Sequence, residues 1–295
     1  MRDNGRVTSA TRQPETPAST VPPRLIATDL DGTLLRDDKS VSPRTVAALA
    51  AAERAGIEVF FVTGRPARWM NIVSDHVHGH GLAICGNGAA VVDLHGGPGA
   101  HRFVKVRELA RRNALDAVRL LREAAPGTAY AIEQTYGFHQ EPHYPKLHME
   151  VPDILLAAEE LLDRRGPLPD EPVLKILAHH ASLDPDAFLT LARLALGERA
   201  AVTRSSPSAL LEISGPGVSK ASTLALCCAE RGISPEEVVA FGDMPNDVEM
   251  LSWAGRSYAM GNAHPDVLAA ASGRTVANNE DGVAVVIEEL LAGLP

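Results

Sequence analysis

The first part of the chain with a regular pattern of apolar residues contains a short apolar run, a stretch of helical apolar spacing and a second apolar run. Residues 24–30 predict a strand, and residues 43–55 predict a helix that has Ser42 as its N-cap and Gly56 at its end. Residues 57–62 predict a second strand. A strand, a helix and a strand with such short joints form a βαβ unit, which builds parallel sheets whose ligands bind at the carboxyl ends of the strands.

The next segment predicts one more helix and then a hairpin. Helical spacing covers about residues 66–77. Apolar runs at 82–85 and 89–93 flank the turn-forming residues Gly86, Asn87 and Gly88. Two paired strands are therefore expected after the βαβ unit.

The stretch from about residue 103 to residue 210 differs in character from what precedes it. Helical patterns and strand-like runs are mixed there; the helices are predicted at 106–124, 153–164 and 185–196, and the strands at 128–134, 173–179, 200–204 and 209–213. We interpret this stretch as an inserted second domain.

The βα alternation returns from Val218 to the end of the chain. Strands are predicted at 238–241, 257–260 and 274–277, followed by a closing helix at 281–291. The predicted organisation is an α/β core made of residues 24–102 and 211–295, an insert of residues 103–210, and a leader of residues 1–23.

Composition limits the choice of partner. The chain has 295 residues, of which 45% are hydrophobic, and 37 acidic against 28 basic side chains give a formal net charge of −9. This charge argues against nucleic acid or an anionic membrane surface as the main partner. A small anionic substrate remains compatible, because a cleft can concentrate positive charge locally.

The cysteines and the leader bear on location. Cys85, Cys227 and Cys228 form neither a disulfide framework nor a zinc-ligand pattern, which fits a reducing cytoplasm. Residues 1–23 are rich in Thr, Pro, Ser and Arg and contain no apolar run, so we expect a disordered leader without a secretory signal or membrane anchor. An organellar transit peptide is the alternative interpretation.

Two acids follow the first predicted strand. Asp29 and Asp31 flank Leu30, and Gly32 allows a sharp turn that frees both carboxylates from the sheet. Beside a divalent cation, one carboxylate can attack phosphorus while its neighbour protonates the leaving oxygen and later activates water. An acidic, solvated loop is the alternative for this motif by itself.

A second polar group of residues follows the predicted strand at 238–241. Asp243, Asn246 and Asp247 offer the oxygen ligands that Mg²⁺ prefers, with Asp243 as the direct ligand and the other two positioning it or the phosphate. A helix N-cap is the alternative, since Asp and Asn are favoured there.

Groups that suit an anion follow the second strand and precede a later helix. Thr63 offers a hydroxyl and Gly64 an exposed N–H, and Pro66 starts a helix whose N-terminus favours phosphate. Lys220 can screen a carboxylate nucleophile from phosphoryl oxygens, although a lone lysine is usually a surface residue. The combination of four such strand ends in one α/β core indicates a phosphoryl-transfer site.

The motifs resemble those of the haloacid dehalogenase superfamily. Its four ordered motifs are matched by DLDGT at 29–33, VTGRP at 62–66, GVSK at 217–220 and GDMPNDVEML at 242–251. Similarity to the Cof-like branch is carried by CGNGA at 85–89, LEISGPGVSK at 211–220, MGNA at 260–263 and NNEDGVA at 278–284. The resemblance covers nearly all of residues 24–291.

The resemblance implies a Rossmann-like core and a large α/β cap, of the IIB type, inserted between the second and third motifs. It implies that Asp29 is the nucleophile, that Asp31 is the acid and base, and that Asp29, the backbone carbonyl of Asp31 and Asp243 hold Mg²⁺. The implied phosphate contacts are Thr63, Lys220 and Asn246, and the residue reasoning adds Gly64 to these and places Asp247 behind the metal ligands.

The predicted function is a magnesium-dependent phosphatase that hydrolyses monoesters of small metabolites, such as sugar phosphates, through an aspartyl-phosphate. Asp31 favours hydrolysis over dehalogenation because it can protonate an alkoxide. A phosphoryl-transferring mutase and a non-catalytic binding protein on the same scaffold are the alternatives. Substrate selectivity is expected to reside in the cap, where the candidate side chains are Phe138, His139, His143, Tyr144 and Lys175.

Overall fold

The computed structural model describes residues 21–74, 81–96, 101–146, 151–206 and 208–294. The strands in these ranges are β1 Leu25–Thr28, β2 Glu58–Val62, β3 Leu82–Cys85, β4 Ala90–Asp93, β5 Arg102–Val106, β6 Ala129–Gln134, β7 Phe138–Gln140, β8 Ile154–Leu155, β9 Val173–His179, β10 Ala201–Thr203, β11 Leu210–Ser214, β12 Val238–Gly242, β13 Arg256–Ala259 and β14 Gly273–Arg274. The α-helices are α1 Pro43–Arg54, α2 Asn71–Ser74, α3 Arg111–Ala124, α4 Ala158–Leu162, α5 Pro185–Leu196, α6 Lys220–Glu230, α7 Val248–Trp253, α8 Pro265–Ala270 and α9 Gly282–Ala292.

The larger sheet has the strand order β14-β13-β12-β1-β2-β3-β4-β5. Its first six strands run parallel, and β4 and β5 are antiparallel to their neighbours. Every residue of β1 is buried, as expected of a central strand covered on both faces. The carboxyl ends of β1, β2 and β12 therefore lie side by side at one edge of the sheet.

Helices cover both faces of this sheet. Ile26 points to the face that packs with Leu49 of α1 and Ile287 of α9. Its neighbours on β1 point to the opposite face, where they pack with Leu224 of α6 and Met250 of α7. Cys227 and Cys228 are buried in this second cluster and act as small apolar residues there. Together the layers form the predicted α/β core with a parallel-rich sheet, and this fold class is confirmed.

The smaller sheet has the strand order β10-β11-β9-β6-β7-β8 and is antiparallel except between β7 and β8. One of its faces packs on α3, α4 and α5 through residues such as Ile132, Ile176 and Phe188. The other face carries Lys175 and Glu212, whose side chains point towards the first sheet. We call this smaller sheet with its three helices the cap.

The chain passes from the larger sheet to the smaller one, and back again, slightly later than the sequence indicated. β5 pairs with β4 in the larger sheet, although residue 103 was predicted to begin the insert. Likewise β11 pairs with β9 in the smaller sheet, beyond the predicted end of the insert at residue 210. β5 is a short edge strand with alternating burial, and such a strand acquires its partner only in the folded chain. The division into domains stays a prediction.

Several predicted elements are shorter in the structure. The helix expected at 66–77 consists of a 3₁₀ turn, Ala67–Trp69, and the short α2, with residues 75–77 outside the described part. The helix expected at 106–124 begins only at Arg111. In the first case tertiary contacts prevail over local spacing, since Arg68 pairs with Glu133 of the cap.

The structure bears on two other expectations. Residues 1–20 of the predicted leader lie outside the described part of the chain. Within the described ranges, no helix combines the length and the apolar character that crossing a bilayer requires. The cytoplasmic location stays a prediction.

Replacing Phe188 by Ala should test whether the cap core contributes to global stability. Phe188 is fully buried under the smaller sheet, so its loss should lower the free energy of unfolding by about 3–5 kcal/mol. Urea denaturation followed by circular dichroism measures this. Leu194→Ala is the matched control on the same helix, because Leu194 is 86% exposed and its truncation should change stability by only about 0.5 kcal/mol. Equal losses in both variants would contradict the burial assigned to α5.

Candidate active site

The two acids predicted to lead the chemistry follow β1 directly. Asp29 is only 5% exposed, and its backbone N–H donates to the carbonyl of Phe241 on β12. Gly32 has a φ of +77°, a conformation that residues with a side chain rarely adopt. The chain therefore turns sharply after the strand, and both Asp29 and Asp31 line a cleft at the carboxyl edge of the sheet.

Gly32 is also where the loop after β1 approaches the loop after β12. A Cβ atom on Gly32 would lie 2.2 Å from Oδ2 of Asp243, so only glycine permits this approach. Thr33 donates its hydroxyl to Oδ1 of Asp243 over 2.9 Å. The residue reasoning did not single out Thr33, although it lies in the same motif. Its bond holds the Asp243 carboxylate beside Asp29.

Lys220 is the first residue of α6 and is 1% exposed. Its Nζ donates to Oδ1 of Asp29 over 2.5 Å and to Oδ1 of Asp247 over 2.7 Å. The other oxygen of Asp247 accepts the backbone N–H groups of Asp243 and Met244. Asp247 thus holds the lysine and the loop after β12 at once, which supports the positioning role predicted for it.

Three carboxylates form the acidic cluster of the site. The ligand atoms of Asp29, Asp243 and Asp247 all lie within 4.8 Å of one another. Burial raises the pKa of Asp29 well above its ordinary value, although Lys220 opposes this. Burial and then repulsion by Asp247 raise the pKa of Asp243 to about 7.

Such a set of mutually repelling, buried carboxylates fits a hard divalent cation, which binds oxygen ligands and would relieve the repulsion. Because both oxygens of Asp247 are already bonded, Asp29 and Asp243 are the side chains available to hold the ion. The side chain of Asp31 is not part of this cluster. Its contribution through the backbone carbonyl stays a prediction.

The carboxylate of Asp31 is ion-paired. Arg65 donates to it through two nitrogens, over 2.5 and 2.7 Å, and Lys39 donates over 2.8 Å. Burial acts to raise the pKa of Asp31, but these bonds outweigh it and hold the pKa at about 2. Asp31 is therefore an anion in this arrangement. Arg65 was missed by the residue reasoning, and its place in the VTGRP motif was the available signal.

Three of the four predicted phosphate-binding residues line the same cleft. Thr63, Gly64 and Asn246 all line it. The hydroxyl oxygen of Thr63 accepts the N–H of Arg65 over 3.1 Å, which leaves its proton available for a bound anion. The amide of Asn246 donates to Oδ1 of Asn87 over 3.0 Å.

Asn87 is a further residue that the sequence reasoning placed only in a turn. It is buried and has a φ of +56°, in the left-handed region that Asn tolerates better than most residues. This conformation brings its side chain to Asn246 instead of pointing it along the hairpin. The CGNGA motif carried the signal for it.

The cleft between core and cap has a volume of about 480 Å³, several times that of a phosphate group. The cap contributes a roof with an apolar part, Phe138, Leu177 and Leu210, and a polar part, Glu133, Lys175, Ser205, Ser206 and Glu212. The guanidinium of Arg68 lies 5.6 Å from the Phe138 ring and pairs with Glu133. The cleft therefore has room for a sizeable leaving group.

Only two of the five cap candidates line this cleft, namely Phe138 and Lys175. His139 bonds to Gln134 inside the cap over 2.9 Å. Tyr144 is buried beside Phe138 and Leu177, and His143 is exposed. The alternation of side chains along β7 separates Phe138 from His139, whereas His143 and Tyr144 lie in the turn that follows this strand.

The comparisons with known proteins agree with this fold. The sequence model of the haloacid dehalogenase-like hydrolases matches residues 26–287. The chain therefore belongs to this family of hydrolases, and the predicted superfamily is confirmed.

Two relatives from Bacillus subtilis (strain 168) cover nearly the whole chain. One, named 5-amino-6-(5-phospho-D-ribitylamino)uracil phosphatase YitU, is 30% identical over 90% of this chain and 97% of its own length. The other, YxeH, is also named as a phosphatase and is 28% identical over 91% of this chain and 98% of its own. With the family match, they confirm the predicted enzyme class, a phosphatase of this hydrolase family.

A solved structure of a sugar phosphatase of subclass IIB of the superfamily has the same fold. Its TM-score is 0.73 at 22% identity, and the match covers 90% of this chain and 98% of that one. The shared architecture includes the inserted cap, so the expected cap type is confirmed at the level of the fold.

Replacing Lys220 by Met should destabilise the protein, because two buried carboxylates would lose their counter-charge. The free energy of unfolding should fall by about 3–5 kcal/mol, measured by urea denaturation at pH 7 without divalent cations. Lys39→Met is the matched control, since Lys39 is 51% exposed in its pair with Asp31 and should cost about 1 kcal/mol or less. A loss for Lys220→Met no larger than for the control would show that the buried pair does not support the core.

Proposed function

We propose that the protein is a Mg²⁺-dependent phosphatase that hydrolyses phosphate monoesters of small metabolites through an aspartyl-phosphate on Asp29. The observation that carries this proposal is that Asp29 and Thr63 line one cleft, while Lys220 and Asp243, from distant parts of the chain, lie directly beside Asp29. A nucleophile, a buried cation, a metal-ligating carboxylate and an anion anchor are the parts that phosphoryl transfer requires.

The first step is attack by Asp29 on phosphorus. One carboxylate oxygen of Asp29 forms the new bond to phosphorus while the bond to the alcohol oxygen breaks, and Lys220 holds the carboxylate in place. When bound between Asp29 and Asp243, Mg²⁺ would neutralise charge on the transferring phosphoryl group. The Thr63 hydroxyl and the Asn246 amide bind its oxygens.

Asp31 supplies the proton that the departing alkoxide needs. In the structure its carboxylate is held as an anion by Arg65 and Lys39, so it must leave these partners before it can take up and donate a proton. A phosphate dianion entering the cleft competes with Asp31 for the same Arg65 guanidinium. Substrate binding thereby favours the release of Asp31.

The second step is hydrolysis of the phosphoryl-enzyme. Asp31, now deprotonated, takes a proton from water as the water oxygen attacks phosphorus and the bond to Asp29 breaks. Inorganic phosphate leaves and Asp29 is restored as a carboxylate. Asp31 therefore acts as an acid in the first step and as a base in the second. Asp29 is the nucleophile in the first step and the leaving group in the second.

The roof indicates the class of leaving group. Its ionic side chains are paired with opposite charges, Glu133 with Arg68 of the core and Lys175 with Glu212, which favours an uncharged leaving group over one with a second anion. The relative YitU is named for a monophosphate whose leaving group carries a ribityl chain and a uracil ring. Substrates of this kind, and sugar phosphates, are the candidates for this chain.

Asp29→Asn should abolish the release of inorganic phosphate from p-nitrophenyl phosphate in Mg²⁺. Because an amide cannot act as the nucleophile, kcat should fall by about 10³-fold or more, and chelation of Mg²⁺ should have a comparable effect in the wild type. A colorimetric phosphate assay measures both. Activity retained by Asp29→Asn would contradict the covalent mechanism.

The same assay with ³²P-labelled substrate and an added acceptor alcohol distinguishes the alternative function. Label that appears in solution as phosphate supports hydrolysis. Label transferred mainly to a second hydroxyl would identify a mutase instead.

Sorbitol 6-phosphate and 6-phosphogluconate form a matched pair for testing the roof, since both are open chains and they differ at one end only by a carboxylate. We expect kcat/KM to be about 10-fold or more higher for sorbitol 6-phosphate, because a second anion would face Glu133 and Glu212, whose partners Arg68 and Lys175 are already ion-paired. Steady-state kinetics in Mg²⁺ measure the ratio. Equal values for the two substrates would contradict an uncharged leaving group.

A further inference from the structure

Lys175 is a cap residue that reaches the phosphate-binding loop of the core. It lies on β9, and its side chain and that of Glu212 on β11 are each only 4% exposed in a shared ion pair. The Lys175 ammonium also donates to the backbone carbonyl of Gly64 over 2.7 Å. The hydroxyl of Ser205 donates to the second oxygen of Glu212. The pair therefore belongs to the cap but is completed by the core.

The free-energy cost of burying Lys175 and Glu212 must be offset. The desolvation of a buried ion pair often cancels its Coulomb attraction, so such a pair is weak evidence for stability. Burial acts to raise the pKa of Glu212, but Lys175 outweighs it and keeps the pKa below its ordinary value. Glu212 thus stays ionised, and the ammonium of Lys175 can make its second contact, to Gly64, only with the cap seated on the core.

The contact to Gly64 leads directly to a phosphate-binding hydroxyl. The carbonyl that accepts from Lys175 belongs to the peptide unit whose N–H, that of Arg65, donates to Oγ1 of Thr63. A cation on the carbonyl polarises this peptide and strengthens the N–H as a donor. With its oxygen so engaged, the Thr63 hydroxyl is left to donate its own proton outwards, to an anion in the cleft.

Glu212 lies close to Asn87, the residue that contacts the second phosphate-binding group, Asn246. A Cβ atom built on Gly64 would lie 3.2 Å from Oε1 of Glu212 and 3.3 Å from Oδ1 of Asn87. Asn87 in turn accepts from the amide of Asn246. The absent side chain of residue 64 therefore lets the cap carboxylate pack where the loops bearing Thr63 and Asn246 meet.

We infer that Lys175 and Glu212 form a positioning pair that couples the seating of the cap to phosphate binding, by ordering the Gly64 peptide and so aiming the Thr63 hydroxyl. This inference rests on the proposed function, because it assigns Thr63 to the phosphate. On this inference the cap does more than enclose the leaving group, because even a small substrate that never touches the roof depends on Lys175.

The double variant Lys175→Met/Glu212→Gln tests this, since it removes both charges together and leaves no unpaired ion in the cap. We expect kcat/KM for p-nitrophenyl phosphate to fall, and the inhibition constant of inorganic phosphate to rise, by about 10- to 100-fold, the range for losing a hydrogen bond from a charged donor. The thermal midpoint should stay near that of the wild type.

Arg122→Met is the matched control within the cap. Arg122 binds Glu141 and Glu159 away from the cleft, so its loss loosens the cap without touching Gly64. Phosphate inhibition should then stay within about twofold of the wild type. An equal weakening in Arg122→Met, or unchanged phosphate inhibition in the folded double variant, would overturn the inference.

Gly64→Ala gives an independent test should the double variant fail to fold. It keeps both charges, but its methyl group pushes against Glu212 and Asn87, and phosphate should again bind about 10-fold more weakly. Calorimetric titration of inorganic phosphate in Mg²⁺ reads binding directly. A wild type that binds phosphate but hydrolyses no ester would refute the proposed function alone, whereas a Gly64→Ala variant that binds phosphate as the wild type does would refute the positioning role.

Discussion

One buried ammonium group ties together three distant parts of the chain. Lys220 binds Asp29, which lies 191 positions away, and Asp247, which lies 27 positions away. An uncompensated charge at this depth would cost several kcal/mol, so the loops after β1 and β12 must both reach the start of α6 for the core to close. The same requirement gathers the acids that the chemistry needs. Folding of the core and assembly of the site therefore depend on the same ionic contact.

On the other side of the cleft, the cap also buries charged side chains. Its sheet is apolar on the face against α3, α4 and α5, while the opposite face meets an edge rich in carboxylates. Charges on that face must be paired to be buried, as Lys175 and Glu212 are. Their pairing leaves an ammonium proton for the Gly64 carbonyl. The ion pair that allows both charges to be buried therefore also provides a contact between the cap and the phosphate-binding loop.

Much of the fold and of the candidate site could be predicted from local sequence. The α/β class followed from apolar periodicity, and the hydrolase family from motifs placed at strand ends. Arg65, Thr33 and Asn87 lay inside those motifs but were not assigned partners, because their partners Asp31, Asp243 and Asn246 are set by long-range contacts. The short strands β5 and β7 were missed for a related reason: a strand of few residues has little local signal until its neighbour is in place.

The sequence by itself determined the periodicity of each element, the glycines that permit sharp turns and the identity of the acids, since these depend on a residue and its near neighbours. Tertiary structure alone decided which cap residues face the cleft. Of the five candidates, Phe138 and Lys175 line it and the other three do not. For Phe138, His139 and Lys175 the physical reason is that strand pairing sets the register and hence the face on which each side chain lies, and a shift of one residue would reverse it. No local pattern encodes that register.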